Sequence, residues 1–261
     1  MAIELISRGT RSDLPSLLFV HGAYHGASCW DHHFLPWFAE RGWHAHALSL
    51  RGHGGSHGDA AADAPGLEDY LEDVAGVLRR IPGPVVLIGH SMGGVIAQMA
   101  RARLSRVVAT VLLASSPLRP APSVLFRLLL ARPVAVLRSQ LLGDTKAGRR
   151  AFTTFFFPPD LDPALRARYV AELSGESARA VREVFSRDLP PRPDLATRPV
   201  LVVAGRDDWS IPLHDHRRLA EHFGAPLEIS PGAHDLMLDP RWHHSAAVIE
   251  RWLRTNVRPA A

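Results

Sequence analysis

The chain has 261 residues, 46% of them hydrophobic, enough for one sizeable core, and a formal charge of +4 at a sequence pI near 9.9. Its 30 basic residues include one lysine, Lys146, and the arginines are scattered, without the clustered stripe and interleaved aromatics that mark a nucleic-acid surface. No run approaches the roughly 20 apolar residues of a membrane helix, the N-terminus has no continuous apolar leader, and the lone Cys29 excludes an internal disulfide, so the expectation is a soluble, cytoplasmic protein.

In chain order, Ser16–His21 is a β-like apolar run that ends at Gly22. Over Cys29–Arg41, Trp30, Phe34, Trp37 and Phe38 recur at three- and four-residue steps and predict a helix. His44–Leu50 reads as a strand, followed by a glycine-rich loop with His53, His57 and the alanines near 60–64. Leu67–Ile81 carries a helical stripe, with acids near its start where the helix dipole favours them. Val85–Gly89 is a strand, Ser91–Leu104 a helix and Val107–Ala114 a strand. Such alternation predicts a mostly parallel sheet covered by helices on both faces. Between 117 and 198 the rhythm breaks into prolines and helical segments rich in arginine and leucine. It resumes with a strand at Pro199–Gly205, a helix at Leu213–Phe223, a strand at Pro226–Ser230 and a helix at Arg241–Arg254. The expected organisation is one α/β domain over 1–261, with core segments 1–116 and 199–261. A helical cap insertion at 117–198 interrupts it, of the kind that forms lids or substrate walls.

The most informative stretch is Gly89-His90-Ser91-Met92-Gly93, a G-x-S-x-G pattern at a strand-to-helix junction. A serine on a sharp, strained turn projects its hydroxyl above the sheet edge, and flanking glycines let neighbouring backbone approach. The following helix puts the Met92 amide where negative charge develops on a reacting carbonyl. A second backbone donor is expected from Ala23, in the His21-Gly22-Ala23-Tyr24 loop after an earlier strand, with His21 as a structural anchor.

A serine hydroxyl needs a base, and fifteen histidines compete for that role. His234 is favoured by position, in a loop between the last strand and the last helix. The base in turn needs a carboxylate to fix its tautomer. Asp207 and Asp208 both lie in the loop ending the Pro199–Ala204 strand; local spacing favours Asp208, and either fits the chemistry. No His, Asp or Glu grouping has convincing zinc spacing, so no metal is expected.

Taken together, the HGAYHG, GHSMGG, GRDDWSIP and GAHD segments resemble the α/β-hydrolase superfamily, in its order of nucleophile, acid and base, over almost the whole chain. HGAYHG followed by Trp30 resembles the branch of methyl esterases and hydroxynitrile lyases. The resemblance implies a cofactor-free mechanism in which Ser91 forms an acyl-enzyme that water, activated by His234, releases. The lyases of this branch carry a lysine after the base, where this chain has Asp235, and tend to a hydroxyl residue where Gly22 stands, which disfavours cyanohydrin cleavage. Haloalkane dehalogenases and epoxide hydrolases of similar fold use an aspartate in place of Ser91.

Tyr24, Trp209, Met92, Met237 and the Phe155–Phe157 run, Phe156 among them, are candidate substrate contacts, each of which also fits core packing. They suggest an apolar acyl or alcohol group. The expected partner is therefore a small-molecule ester, with no nucleic acid and no membrane. Three readings fit the residues: an ester, thioester or lactone hydrolase, a carbon–carbon bond hydrolase with the same three residues, and a hydrolase-like protein that binds a small ligand with little turnover.

Overall fold

The computed structural model describes residues 2–115, 156–186 and 198–257. Runs of apolar, largely β-branched residues build a seven-stranded sheet in the order β1-β3-β2-β4-β5-β6-β7. Its strands are β1 (Leu5–Arg8), β2 (Ser16–Val20), β3 (Ala45–Leu48), β4 (Val85–His90), β5 (Val107–Leu113), β6 (Val200–Gly205) and β7 (Leu227–Ser230). All neighbours run parallel except β1, which pairs antiparallel with β3 at one edge. The sequence reading lacks β1, since Leu-Ile-Ser-Arg is short, half polar and half exposed and carries no apolar run.

Side chains alternate across the central strands into two layers. Leu17, Phe19, Val86, Ile88, Val111, Leu201 and Val203 face one layer, and Leu18, Val20, Leu87, Leu112, Val200 and Val202 the other. A continuous apolar strand is what a parallel sheet buried on both faces demands. Each fully buried Leu, Val or Phe contributes about 1.5–3 kcal/mol relative to exposure.

The helices are α1 (Ser28–Asp31), α2 (Phe34–Glu40), α3 (Ala60–Asp63), α4 (Leu67–Arg80), α5 (Met92–Arg103), α6 (Pro163–Ala171), α7 (Ala178–Ser186), α8 (Leu213–Phe223) and α9 (Trp242–Asn256). The single helix expected over 29–41 is two, broken at His32–His33. Pro36 explains the break, because it has no N–H for the carbonyl four residues back and its ring collides there. The alanines read as loop form α3, started by Asp59, whose carboxylate accepts from the amides of Ala61 and Ala62.

Within the expected insertion the described residues form α6 and α7 and no strand; the rest of 117–198 lies outside the described residues. α6 begins with Pro163 at its first position and Asp162 as cap. Ala180 and Val184 of α7 join the core layer that contains α4 and α5. Among the described residues, no helix is long and apolar enough to cross a membrane.

Candidate active site

The parallel sheet brings the C-terminal ends of β2, β4 and β6 to one rim, where loops carry the predicted residues. Ser91 sits between β4 and α5 with φ 52° and ψ −118°, a left-handed conformation that costs a non-glycine residue about 1–3 kcal/mol. The turn is held because the Ser91 amide donates to Leu113 O at 3.1 Å and the Gly94 amide to Ser91 O at 3.0 Å. Only glycine fits at 93, where a Cβ would lie 2.4 Å from the carbonyl oxygens of Val20 and His21. Gly22 answers the same constraint from the opposite side, since a Cβ there would stand 2.9 Å from Ser91 Cβ. A larger residue at 22 would push the loop away from the hydroxyl.

His234 follows β7 in a loop pinned by its neighbours. The Ala233 amide donates to Asp239 at 2.9 Å, the His90 Nε2 to His234 O at 3.1 Å, and the Asp235 amide to Phe156 O at 3.0 Å. The imidazole of His234 bridges two partners: Nε2 lies 3.0 Å from Ser91 Oγ and Nδ1 lies 2.8 Å from Asp208 Oδ2. Asp208 is fixed through its other oxygen, which accepts from the amides of Ser210 at 2.7 Å and Ile211 at 2.9 Å. Asp207 is exposed; Asp208 is the aspartate that meets the imidazole.

A profile of the Alpha/beta hydrolase family matches residues 17–248. The chain belongs to this family. A monoacylglycerol lipase from Mycolicibacterium smegmatis is 26% identical over 246 residues, covering 87% of this chain and 83% of the lipase. Epoxide hydrolase A from Mycobacterium tuberculosis is 28% identical over 217 residues, 83% of this chain, and the match spans 59% of that relative's length. The chain thus covers less than two thirds of some curated relatives. Among solved structures, the enol-lactonase from Burkholderia xenovorans superposes with a TM-score of 0.78 at 20% identity, covering 97% of this chain and 96% of that one. At that identity the likeness is one of fold.

In this α/β-hydrolase, burial shapes the proton affinities. Burial acts to lower the His234 imidazole, but the Asp208 carboxylate, by charge and hydrogen bond, outweighs it and raises it above its ordinary 6.5. Burial likewise acts to raise Asp208, and the imidazoles of His234 and His216 outweigh it, holding the carboxyl well below the usual range. His90, under burial and the neighbouring His234, falls to about 3 and is neutral at physiological pH.

A second buried pair adjoins the first. His25 Nε2 donates to Asp235 Oδ2 at 3.1 Å, and its Nδ1 to Ala23 O at 2.9 Å. In the sequence Asp235 stands out only as a departure from the lyases, and His25 only as part of the HGAYHG segment. Nothing in local pattern pairs two residues 210 positions apart. Among the described residues, His90, His234 and Asp235 place ligand-type atoms within 4.8 Å of one another. Both nitrogens of His234 already serve Ser91 and Asp208, so a cation there would dismantle that chain.

Of the other predicted residues, Met92 is the first residue of α5, so its amide has no intrahelical acceptor. Ala23 and Tyr24 lie in the loop over Ser91, with Tyr24 at φ 69°. The Phe156 ring packs 5.4 Å from that of His234 and 5.8 Å from that of His25. Trp209, beside Asp208, is 52% exposed, and Met237 is fully buried in the core layer. Phe155 lies outside the described residues. His53, in the glycine-rich loop after β3, is buried and donates to Glu176 at 3.1 Å.

Proposed function

We propose that the chain is a serine hydrolase of carboxylic esters, thioesters or lactones, with Ser91 as nucleophile, His234 as base and Asp208 as the acid that orients it. The observation carrying this is the hydroxyl–imidazole–carboxylate chain of 3.0 and 2.8 Å that ends on a strained strand-to-helix turn. Asp208 accepts from Nδ1, which leaves Nε2 with its lone pair toward the Ser91 hydroxyl, the tautomer a base requires.

In the reaction, Ser91 Oγ forms a bond to the substrate carbonyl carbon while its proton passes to His234 Nε2. The carbonyl π electrons move onto oxygen, and the amides of Ala23 and Met92 donate to that oxyanion. Collapse expels the alkoxide, which takes the proton from His234 and leaves an acyl-enzyme. Water then attacks as His234 takes its proton, and Ser91 departs reprotonated. The step uses no cofactor and no metal. Phe156, Tyr24 and Trp209 are assigned to the apolar surface that receives the acyl or alcohol group, whereas Met237 is fully buried in the core layer and is not part of it. Because the nucleophile is a serine, the aspartyl intermediate of epoxide hydrolases with this fold is not available to it.

A burst of p-nitrophenol equal to the enzyme concentration, absent in Ser91→Ala, tests the reading, and a panel of ester, thioester and lactone chain lengths sets the class. Steady turnover by the Ser91→Ala protein would overturn it.

A further inference from the structure

Glu176 stands between α6 and α7, in the segment expected to form the cap, yet its side chain is 1% exposed. Burying a carboxylate is costly unless its oxygens are supplied with donors. Here each oxygen has two. Oε2 accepts from the Tyr24 amide at 3.2 Å and from His53 Nε2 at 3.1 Å. Oε1 accepts from the Tyr70 hydroxyl at 2.8 Å and from the Ser177 amide at 2.7 Å. Two residues earlier in the chain, the Ser174 amide donates to Tyr24 O at 2.8 Å, and Ser174 Oγ accepts from Gly54 N at 3.1 Å. Both backbone polar groups of Tyr24 are therefore held by one short stretch of the insertion.

Tyr24 is the residue for which such a clamp matters. Its φ of 69° lies in the left-handed region, which a bulky L-residue enters only when its surroundings impose it. The peptide that links Ala23 to Tyr24 is the one whose N–H reaches Glu176, so its plane is set by the carboxylate. The Ala23 N–H belongs to the preceding peptide, which meets that plane at Ala23 Cα and whose Gly22 carbonyl accepts from His21 Nδ1 at 2.8 Å. On the far side, Ala23 O is held by His25. Releasing the Tyr24 amide would let the loop relax toward negative φ and swing the Ala23 amide out of line.

We propose that Glu176 is a positioning residue: its buried carboxylate clamps Tyr24 in the left-handed conformation and thereby aims the Ala23 amide at the developing oxyanion, so that the cap segment carrying it completes the catalytic site. The inference rests on the assignment of Ala23 as an oxyanion donor. Since the clamp acts on an interaction made in the transition state, its loss lowers kcat and kcat/KM together and leaves KM nearly unchanged.

The test compares Glu176→Ala and Glu176→Gln with wild type on an activated ester, and measures inhibition by a trifluoromethyl ketone, whose adduct with Ser91 carries the oxyanion. Glu176→Ala is expected to lose about 10- to 100-fold in kcat with KM within about threefold, and to bind the ketone more weakly in the same proportion. That is a smaller effect than the roughly 10²- to 10³-fold of outright loss of one oxyanion donor, because the amide is misaimed and not removed. Glutamine keeps one oxygen acceptor in place and is expected to recover part of the loss, standing three- to tenfold below wild type. Where the alanine protein does not fold, the glutamine protein decides by the same two readouts. Retention of kcat within twofold, or a loss that appears as a rise in KM with ketone affinity unchanged, would overturn the assignment of Glu176. Turnover by Ser91→Ala would instead overturn the serine-hydrolase reading itself, so the two failures are distinct.

Discussion

Two buried carboxylate–imidazole pairs meet at the same rim, Asp208 with His234 and Asp235 with His25, at 2.8 and 3.1 Å. In both, burial opposes the charged forms and the partner outweighs it, raising the imidazole and lowering the carboxyl. They differ in what the remaining ring nitrogen faces. His234 meets the Ser91 hydroxyl, which can surrender a proton, whereas His25 meets the Ala23 carbonyl, which can only accept one. His25 is thus fixed as a cation donating in two directions, tying the loop over Ser91 to the loop of the base. The same pair of groups reaches a hydroxyl in one place and ties two loops together in the other, and the third partner makes the difference.

The largest break in this comparison is at the pair that reaches the hydroxyl. Ser91→Ala and His234→Ala are expected to lower kcat by more than about 10³-fold, measured as ester turnover, because removing either member disables the unit. Asp208→Asn should follow at about 10³- to 10⁴-fold, since the amide misdirects the imidazole tautomer while leaving its position intact. A loss below tenfold in Asp208→Asn would mean that His234 draws its orientation from another group.

The identical substitution in the pair that ties the loops should read out differently. With Asp235→Asn, His25 can neutralise, donating to Ala23 O through Nδ1 and accepting from the amide through Nε2. The expected kcat loss is under tenfold, accompanied by a destabilisation of about 1–3 kcal/mol seen in the urea midpoint. The pair also has a pH signature. The raised His25 contributes stability that is fully present below its unfolded value of about 6.5 and is lost as pH rises through its folded one. The lowered Asp235 contributes stability present above its unfolded value near 3.8 and lost as pH falls through its folded one. Wild type should therefore exceed Asp235→Asn in stability most clearly between about pH 4 and 6.5. Over a wider range, kcat/KM should fall as pH drops through the raised value of His234, because the protonated imidazole cannot take the Ser91 proton. A curve flat down to pH 5 would remove His234 as the base.

What the sequence made legible divides along the same line. Ser91 was readable because a strained turn imposes glycine at fixed offsets, and His234 because the strand–loop–helix rhythm puts one histidine in the loop between the last strand and the last helix. The parallel sheet was readable from strands buried on both faces. β1 was not, because an edge strand that is half exposed has no apolar run, and the break at His32–His33 ahead of Pro36 was hidden beneath an intact aromatic periodicity. His25 with Asp235 and Glu176 with Tyr24 were out of reach for a different reason. Their partners lie 210 and 152 residues apart, and only the fold brings them together.

The smallest expected effect sharpens the comparison most narrowly, between neighbours. Asp207 and Asp208 share a loop and a chemistry, and in the sequence only local spacing favours Asp208. The turn separates them: Asp207 is exposed, and its backbone amide donates to Gly232 O at 2.9 Å, while the Asp208 carboxylate turns inward to two amides and the imidazole. An exposed carboxylate near the rim acts on His234 through water, where an interaction is screened to well under about 1 kcal/mol. Asp207→Asn is therefore expected to keep kcat within twofold and to shift the pH profile of kcat/KM only slightly. If it instead matched Asp208→Asn, the inward turn at 208 would not be the feature that makes a carboxylate the partner of His234.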